Sequence, residues 1–312
     1  MNSSHDQTGP RVLVLLAAYN GSAWIARQMR SILDQERVQV RIVVRDDDSV
    51  DGTPAELQRL GSSDRISLVF GTHRTGSAAQ NFLTLIREHS ADTFEFVALS
   101  DQDDIWYPQK LARACETLRA EGSAGYSSAT MARWENGKAA LLRPSGAQNQ
   151  TDFLFEGAGQ GCTFVMSAAF YRQAREFLLA HPELTRTVHF HDWTLYALAR
   201  SWGLRWTFDA YPSVIYCQHA DNDTGARGSL SGIVRRLALI RAGWYRRQLN
   251  AICAICAAAA PANEAIRDWR ATLNQPASMR RKLKIMRFCL RSGRRRLRDN
   301  LVVILAAALG WI

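Results

Sequence analysis

The sequence predicts an α/β protein with a nucleotide-binding sheet, and three observations support this fold class. Four short apolar runs are each followed by a segment in which apolar residues have helical spacing. Each run ends in polar or glycine residues. Clusters of aspartates follow two of the four runs. Because ligands of open α/β sheets bind beyond the carboxyl ends of the strands, the ends of these runs are the candidate binding site.

The first two runs predict a parallel βαβ unit. Residues 12–17 read as a buried strand, and helical spacing follows over 24–33. The second strand, 38–44, is rich in β-branched residues and precedes a predicted helix over 54–60. Two strands separated by one helix are most economically arranged in parallel.

The third and fourth runs continue the alternation. Residues 66–70 predict a strand and 77–89 a helix, and a fourth strand over 94–99 leads to a helix-like stretch that begins near Pro108. Neither a P-loop motif nor a G-x-G-x-x-G motif follows the first strand. The sequence therefore does not favour P-loop or dinucleotide-binding proteins.

Three carboxylates lie within four positions after the fourth strand, at Asp101, Asp103 and Asp104. Clustered carboxylate oxygens suit a hard divalent cation that bridges to phosphates. The alternative is a solvated turn with an N-cap aspartate, which is the better interpretation of an isolated D-x-D. The polar ends of the other strands favour the ligand site.

Charge and cysteine content divide the chain and indicate its compartment. The net charge is +10, but residues 227–312 alone hold 18 Arg and Lys against 3 Asp and Glu. We expect a disordered N-terminus over 1–10 without a signal peptide, an α/β domain over 11–228 and a basic helical region over 229–312. The six cysteines lack the spacing of a disulfide framework, which favours the cytoplasm.

Three motifs in order carry a family resemblance: Ala-Ala-Tyr-Asn-Gly at 17–21, Asp-Asp-Asp-Ser-Val-Asp-Gly-Thr at 46–53 and Ser-Asp-Gln-Asp-Asp-Ile-Trp at 100–106. The chain resembles the inverting glycosyltransferase family 2, and the third motif resembles its rhamnosyltransferase-like members. This resemblance implies a GT-A fold, with a mixed sheet flanked by helices and a helical C-terminal extension. The family usually has glycine where Asp48 stands, so the backbone of that turn is expected to differ slightly.

The resemblance implies a nucleoside-diphosphate sugar as donor. Carboxylates at the second strand end can accept a hydrogen bond from a base imide N–H, which places Asp46 and Asp47 on the nucleobase or ribose. Tyr19 is either a stacking surface or a half-buried aromatic below the sheet, and Arg74 either pairs with phosphate or is solvated. The predicted nucleotide-sugar ligands are Ala18, Tyr19, Asn20, Asp46, Asp47, Arg74, Gly76 and Asp101.

The resemblance also implies a bound Mg²⁺ or Mn²⁺, with Asp103 as its direct ligand. Such a cation stabilises the departing diphosphate as a Lewis acid. The segment 216–222 resembles the family's Y-R-Q-H-x-x-N stretch, which makes His219 a further metal or diphosphate ligand or, alternatively, a structural histidine. Cys217 replaces the arginine of that stretch, so one phosphate contact is missing or is supplied from elsewhere.

An acceptor hydroxyl must lose its proton as it attacks, and Asp192 is the predicted general base. His191-Asp192-Trp193 resembles the short acidic motif that holds the catalytic carboxylate in the family. A plain helix-capping aspartate is the alternative for an isolated tripeptide. His191 and Trp193, together with Gly161 and Cys162 of a preceding glycine-rich stretch, are the predicted contacts to the donor sugar and acceptor.

The basic C-terminal region predicts helices over 233–257, 263–273 and 279–291. Its arginines alternate with apolar and aromatic residues such as Trp244 and Tyr245, and 301–312 is apolar but too short to span a bilayer. We expect peripheral contact with the inner face of the cytoplasmic membrane or, nearly as well supported, packing on the rest of the protein.

The resulting hypothesis is an inverting, metal-dependent transferase that moves L-rhamnose from dTDP-L-rhamnose to a glycan or lipid-linked acceptor in bacterial surface polysaccharide synthesis. A UDP-hexose or UDP-N-acetylhexosamine transferase of the same fold is the alternative. A nucleic-acid-binding protein would use the basic region, but it would leave the aspartates without a role, so no nucleic-acid partner is expected. A sugar-nucleotide sensor without catalysis also fits these residues.

Overall fold

The computed structural model describes residues 9–144, 146–218 and 237–312. These residues form two compact units. The first consists of 9–144, 159–180 and 204–218, and the second of 146–158, 181–203 and 237–312. The units differ from the predicted domains 11–228 and 229–312, because two internal segments of the predicted α/β domain belong to the unit that contains the C-terminal helices.

The first unit is built on a mixed nine-stranded sheet. The strand order is β3-β2-β1-β4-β8-β6-β9-β5, and β7 pairs with β6. Pairing is parallel among β1 to β4 and between β6 and β9, and antiparallel elsewhere. The strands are β1 (Arg11–Ala18), β2 (Gln39–Asp46), β3 (Ile66–Phe70), β4 (Phe96–Ser100), β5 (Ile105–Trp106), β6 (Gly125–Trp134), β7 (Ala139–Leu142), β8 (Val165–Ser167) and β9 (Trp206–Gln218).

The central strands are apolar because helices cover both faces of this part of the sheet. All residues of β1 after Arg11 are buried, as are all residues of β4, which is typical of parallel strands in an α/β protein. Ala18 pairs with Asp46 and Leu16 with Ser100. This register brings the carboxyl ends of β1, β2 and β4 to one edge of the sheet, where the predicted ligand residues follow.

The helices of the first unit confirm the predicted alternation, and the predicted strand and helix boundaries here are within two residues of those observed. The buried faces of α1 and α4 supply Ile25, Met29, Leu111 and Leu118 to the core cluster under the sheet. The helices are α1 (Ile25–Leu33), α2 (Thr53–Leu60), α3 (Ala78–Glu88), α4 (Lys110–Glu121) and α5 (Ala168–Ala180), with a short 3-10 turn at Gly161–Thr163.

The sequence did not predict β5. Trp106 pairs antiparallel with Val214, so the chain that leaves the aspartate loop returns at once to the sheet. The loop 101–104 is therefore fastened at both ends, by β4 before it and by β5 after it.

The second unit is helical. It contains a 3-10 turn at Asp152–Leu154 and six helices, whose described core includes Phe155 packed on Trp269 and Phe288 at ring-centroid distances of 4.8 and 5.9 Å. The helices named in the described residues are α6 (Pro182–Thr185), α7 (His191–Ser201), α8 (Trp244–Ala259), α9 (Glu264–Leu273), α10 (Met279–Ser292) and α11 (Leu297–Ala308).

The single helix predicted over 233–257 is wrong. Residues 237–241 are helical, but α8 begins anew at Trp244, and 233–236 lie outside the described residues. Gly243 separates the two pieces with a φ of 76°, a left-handed backbone that a continuing helix cannot contain. The other two predictions, 263–273 and 279–291, match α9 and α10 closely.

The described helices include none that is long and apolar enough to cross a bilayer. The apolar stretch 301–312 lies in α11 and the turn after it.

Candidate active site

The loop after β1 is held by Gln102, a residue that sequence reasoning missed. The Tyr19 amide donates to Gln102 Oε1 at 2.8 Å, and Gln102 Nε2 donates to the Tyr19 carbonyl at 2.7 Å. The side-chain amide thus pairs with Tyr19 as a neighbouring strand would. A Cβ at Gly21 would lie 2.1 Å from Gln102 Oε1. Glycine is required at residue 21 for this pairing, because any side chain would displace Gln102.

The loop after β2 is locked to the loop after β1. Asp46 accepts from the amide of Ser49 at 3.0 Å and from its hydroxyl at 2.5 Å, and the Asn20 amide donates to Ser49 Oγ at 2.8 Å. Asp48 takes a φ of 60°. This is the left-handed conformation that favours glycine and that aspartate tolerates better than most residues. The substitution of the family's usual glycine thus preserves a left-handed turn.

Asp47 fixes the position of the loop that carries Arg74. The buried Asp47 carboxylate pairs with Arg45 at 2.7 Å and accepts from the Thr75 hydroxyl at 2.7 Å and the Thr75 amide at 3.0 Å. The neighbouring Arg74 guanidinium lies over the Tyr19 ring, 4.0 Å from its centroid. The structure therefore brings together Tyr19 and Arg74, two residues predicted to bind the nucleotide. Gly76, in the same loop, is exposed.

The aspartates after β4 divide into two partly exposed residues, Asp101 and Asp103, and one that is fully buried, Asp104. Neither carboxylate oxygen of Asp104 makes a hydrogen bond of normal geometry within the described part of the chain. Burial and then the charges of Asp103 and Asp101 raise the pKa of Asp104 well above its ordinary value, and the Cys162 thiol and Cys217 amide only partly offset the rise. The protonated form is therefore favoured.

Ligand atoms of Asp101, Asp104 and Cys162 lie within 4.8 Å of one another. The carboxylates fit a hard cation, but burial raises the pKa of the Cys162 thiol, and a neutral thiol is a poor ligand for Mg²⁺ or Mn²⁺. Asp103 is not in this set, so its role as the direct metal ligand stays a prediction. Gly161 and Cys162 are both buried in the 3-10 turn, and Cys162 lies against the aspartates.

A buried lysine lies beneath the aspartate loop. Lys110, at the start of α4, is 1% exposed, and its Nζ lies 3.6 Å from the centroid of the Trp106 ring. Burial lowers the pKa of Lys110 to about 7, although Cys162 and Asp104 act in the opposite direction. This ammonium group has no hydrogen-bond acceptor among the residues that the structure describes.

In the first turn of α7, Asp192 has the properties of a general base. Its side chain is partly exposed, and its Oδ1 accepts from the Trp193 amide at 2.7 Å. Desolvation raises the pKa of Asp192 to about 6, and the backbone hydrogen bond opposes this rise. Burial lowers the pKa of the neighbouring His191 to about 3, so His191 is neutral at physiological pH.

A buried ionic network supports the first turn of α7. Asp152 accepts from Tyr196 Oη at 2.7 Å and Arg295 Nη1 at 2.6 Å, and Glu156 accepts from the Arg295 amide at 2.5 Å. Trp193 Nε1 donates to the Phe153 carbonyl at 2.7 Å. The segment 152–157 is thus clamped between α7 and the loop before α11.

This network changes the interpretation of two predicted features. The Trp193 ring is 4% exposed and stacks on Tyr245 at a centroid distance of 6.3 Å, so it packs inside the second unit. Tyr245 is buried and donates to the Phe155 carbonyl at 2.8 Å, while Trp244 packs on His189 and Phe190. The prediction that Trp244 and Tyr245 belong to a membrane-facing surface is therefore wrong for these two side chains.

One predicted metal ligand and one predicted gap remain. His219 lies outside the described residues, so its role stays a prediction. Arg27 of α1 donates to Cys217 Sγ at 3.5 Å. A guanidinium from another element thus reaches the residue where the family usually has arginine. A pattern search of one sequence segment could not reveal this, because 190 residues separate the two side chains.

A mixed sheet with interlocked polar loops at its strand ends and an aspartate pair beside them defines a GT-A type glycosyltransferase. The family profile of glycosyl transferase family 2 matches residues 13–173. The chain belongs to this family.

Individual relatives agree with this assignment. The dTDP-rhamnosyl transferase RfbG of Shigella flexneri is 34% identical over 239 residues, which cover 76% of this chain and 83% of RfbG. The Escherichia coli protein WfgD, named a UDP-Glc:alpha-D-GlcNAc-diphosphoundecaprenol beta-1,3-glucosyltransferase, is 33% identical over 32% of this chain and 38% of its own. The crystal structure of Staphylococcus aureus TarS 1-349 with UDP-GlcNAc aligns over 96% of this chain and 92% of that chain, with a TM-score of 0.51 at 12% identity, which shows a shared fold.

Proposed function

We propose that this glycosyltransferase moves L-rhamnose from dTDP-L-rhamnose to a hydroxyl group of a glycan or lipid-linked acceptor, with inversion at the anomeric carbon. The observation that carries the donor is the similarity to a dTDP-rhamnosyl transferase across 76% of the chain. The relative named as a UDP-glucose enzyme matches only 32% of the chain, which makes a UDP-hexose the second candidate donor.

The first unit binds the nucleotide. Tyr19 offers an aromatic face, and Arg74, held over it by the Asp47–Thr75 contacts, supplies a cation for the diphosphate. Arg27 supplies a second guanidinium beside Cys217. Asp46 and Asp47 keep acceptor capacity on their carboxylate oxygens for the base or ribose, and Gln102 keeps the Tyr19 backbone in place.

Asp101 and Asp103 fit a divalent cation, since both carboxylates are partly exposed at the strand end while Asp104 is buried below them. When bound, Mg²⁺ or Mn²⁺ neutralises the charge that develops on the diphosphate. Asp104, in its favoured protonated form, adds little to the negative charge of the loop.

Asp192 acts as the base in a single displacement. The acceptor oxygen forms a bond to the anomeric carbon as its proton passes to the Asp192 carboxylate. The bond between the anomeric carbon and the diphosphate oxygen breaks, and the nucleoside diphosphate leaves with the electron pair. A pKa of about 6 leaves Asp192 ionised at neutral pH and yet basic enough to accept a proton effectively.

The donor is tested by calorimetric titration of the protein with dTDP, UDP and GDP, each with Mn²⁺ and with EDTA. We expect dTDP to bind most tightly and only with the metal. Preference for UDP would contradict the rhamnosyl donor and support the UDP-hexose alternative. Equal binding in EDTA would contradict the cation site.

The base is tested with Asp192→Asn, which we expect to lower transfer by about 10²- to 10⁴-fold while dTDP binding is retained. Because the carboxylate must be ionised, kcat/KM of the native enzyme should fall as the pH drops below about 6. Glu264→Gln is the matched control, since it makes the same change in the first turn of α9. Normal transfer by Asp192→Asn would show that another group is the base.

A further inference from the structure

The last helix has an apolar face that nothing in the described chain covers. Leu297, Leu301, Leu305 and Leu309 follow one another at four-residue intervals along α11 and its end, with 72, 52, 56 and 50% of their surface exposed. The opposite side of α11 is buried through Asn300, Val303, Ala306 and Ala307. Because residues four apart share one side of a helix, the four leucines form a continuous exposed stripe.

Helix α10 exposes an apolar and a basic stripe side by side. Met279, Leu283 and Leu290 are 69, 58 and 69% exposed, while Ile285 and Cys289 are buried. Helical spacing also aligns four exposed basic residues, Arg280, Lys284, Arg287 and Arg291. The helix therefore presents cations next to apolar side chains.

These two helices form one rigid element. Asn300 Nδ2 donates to the Cys289 carbonyl at 2.8 Å, and its Oδ1 accepts from the Arg294 amide at 3.0 Å. At the other end of the pair, Lys282 Nζ donates to the Ala308 carbonyl at 3.0 Å. The exposed residues named above on α10 and α11 are called the C-terminal surface below.

Charge selects what this surface fits. Residues 279–309 contain ten Arg and Lys and a single acidic residue, Asp299. A second copy of the chain would bring these charges against their own kind. A nucleic acid would match the charge but would leave the exposed leucines in water. An anionic lipid bilayer matches both features, because leucines enter the boundary between headgroups and acyl chains while basic residues contact the phosphates.

We propose that the C-terminal surface docks the protein on membranes that contain anionic lipid. Each basic residue near such a membrane contributes about 1 kcal/mol, and buried leucines add to it. This proposal is independent of the donor and of the base, because lipid binding needs neither.

The test is co-sedimentation of the full chain with vesicles of phosphatidylcholine alone and of equimolar phosphatidylcholine and phosphatidylglycerol. We expect binding to the mixed vesicles to be at least about tenfold tighter and to weaken with added salt. Leu301→Ser/Leu305→Ser and Arg280→Gln/Arg287→Gln should each reduce binding about tenfold or more. Far-UV circular dichroism and thermal unfolding of each variant show whether it is folded.

Matched controls come from the first unit. Leu141→Ser/Leu179→Ser removes two leucines of similar exposure, and Arg37→Gln/Arg59→Gln removes the same net charge. Neither should change lipid binding by more than about twofold, since long-range charge effects are screened in salt. Equal loss in the controls would overturn the proposal.

Two other outcomes would also overturn it. A dimer in analytical ultracentrifugation that Leu301→Ser/Leu305→Ser converts to monomer would assign the surface to a second copy. Tight binding to duplex DNA that depends on Arg280 and Arg287, without binding to mixed vesicles, would assign it to nucleic acid.

Discussion

The molecule holds two buried carboxylate clusters in opposite ways. In the second unit, Asp152 is fully buried, and its oxygens accept from Tyr196, Arg200 and Arg295. In the first unit, Asp104 is equally buried, yet neither of its oxygens has a normal hydrogen bond to a described residue. Its nearest buried cation, Lys110, lies over the Trp106 ring.

The difference separates a structural cluster from a functional one. A buried carboxylate with arginine and tyrosine donors has its charge compensated inside the fold, so it fixes geometry. A buried carboxyl without such donors has a raised pKa and is costly to ionise, and such groups concentrate at functional sites. The paired cluster clamps the segment beneath the helix of Asp192, whereas the unpaired one underlies the proposed donor-binding aspartates.

The largest effect is expected from breaking the paired cluster. Arg295→Met leaves Asp152 and Glu156 buried with fewer donors, and we expect the free energy of unfolding to fall by about 3–5 kcal/mol. Urea denaturation measures this change. Surviving folded protein should also lose transfer activity, because the clamp on the first turn of α7 is lost.

Arg37→Met is the matched control. Arg37 pairs with Glu116 at 2.8 Å, but both side chains are more than 60% exposed, so the cost should be under about 1 kcal/mol. If Arg295→Met cost no more than Arg37→Met, the two clusters would not differ in the way described.

The sequence predicted those parts of the fold that depend on local pattern. The strand at 66–70 was predicted with its observed ends, because apolar β-branched residues and a following glycine mark it locally. The two-residue strand β5 was missed, since Ile105 and Trp106 form a strand only by pairing with β9, more than a hundred residues away. Gly243 was read as part of a helix because composition does not reveal its left-handed backbone.

The same limit applies to the site. The aspartate motifs and Asp192 are visible as short patterns, and their proposed roles await the experiments above. The partners that hold the site were not predicted. Gln102 lies inside the third motif, and the unvarying need for glycine at residue 21 appears only when the two loops are seen together. Arg295 stood within a basic region that suggested a surface, although its side chain is 1% exposed.

The next largest effect concerns Lys110 and depends on pH. The pKa of Lys110 is about 7 in the folded protein and about 10.4 in an unfolded chain, so the native state binds fewer protons between these values. Stability should therefore rise with pH across this window. Lys110→Met should stabilise the protein by about 1–4 kcal/mol at pH 6, and this gain should shrink toward pH 10.

Thermal and urea unfolding at several pH values measure this difference. Lys138→Met, at an exposed lysine of the first unit, is the control and should show little change at any pH. A gain or loss from Lys110→Met that is the same at pH 6 and pH 10 would mean that the ammonium is not desolvated in the native state.

The smallest effect is expected from Asp104→Asn. Asparagine keeps the size of the protonated carboxyl and its neutrality, and neither oxygen of Asp104 has a normal hydrogen bond to lose among the described residues. The free energy of unfolding at pH 7 should therefore change by less than about 1 kcal/mol. The same substitution at Asp152 removes a charge that two arginines share and should cost about 3 kcal/mol or more. If Asp104→Asn were as costly as Asp152→Asn, then Asp104 would be ionised and paired with Lys110, and the contrast between the two clusters would fail.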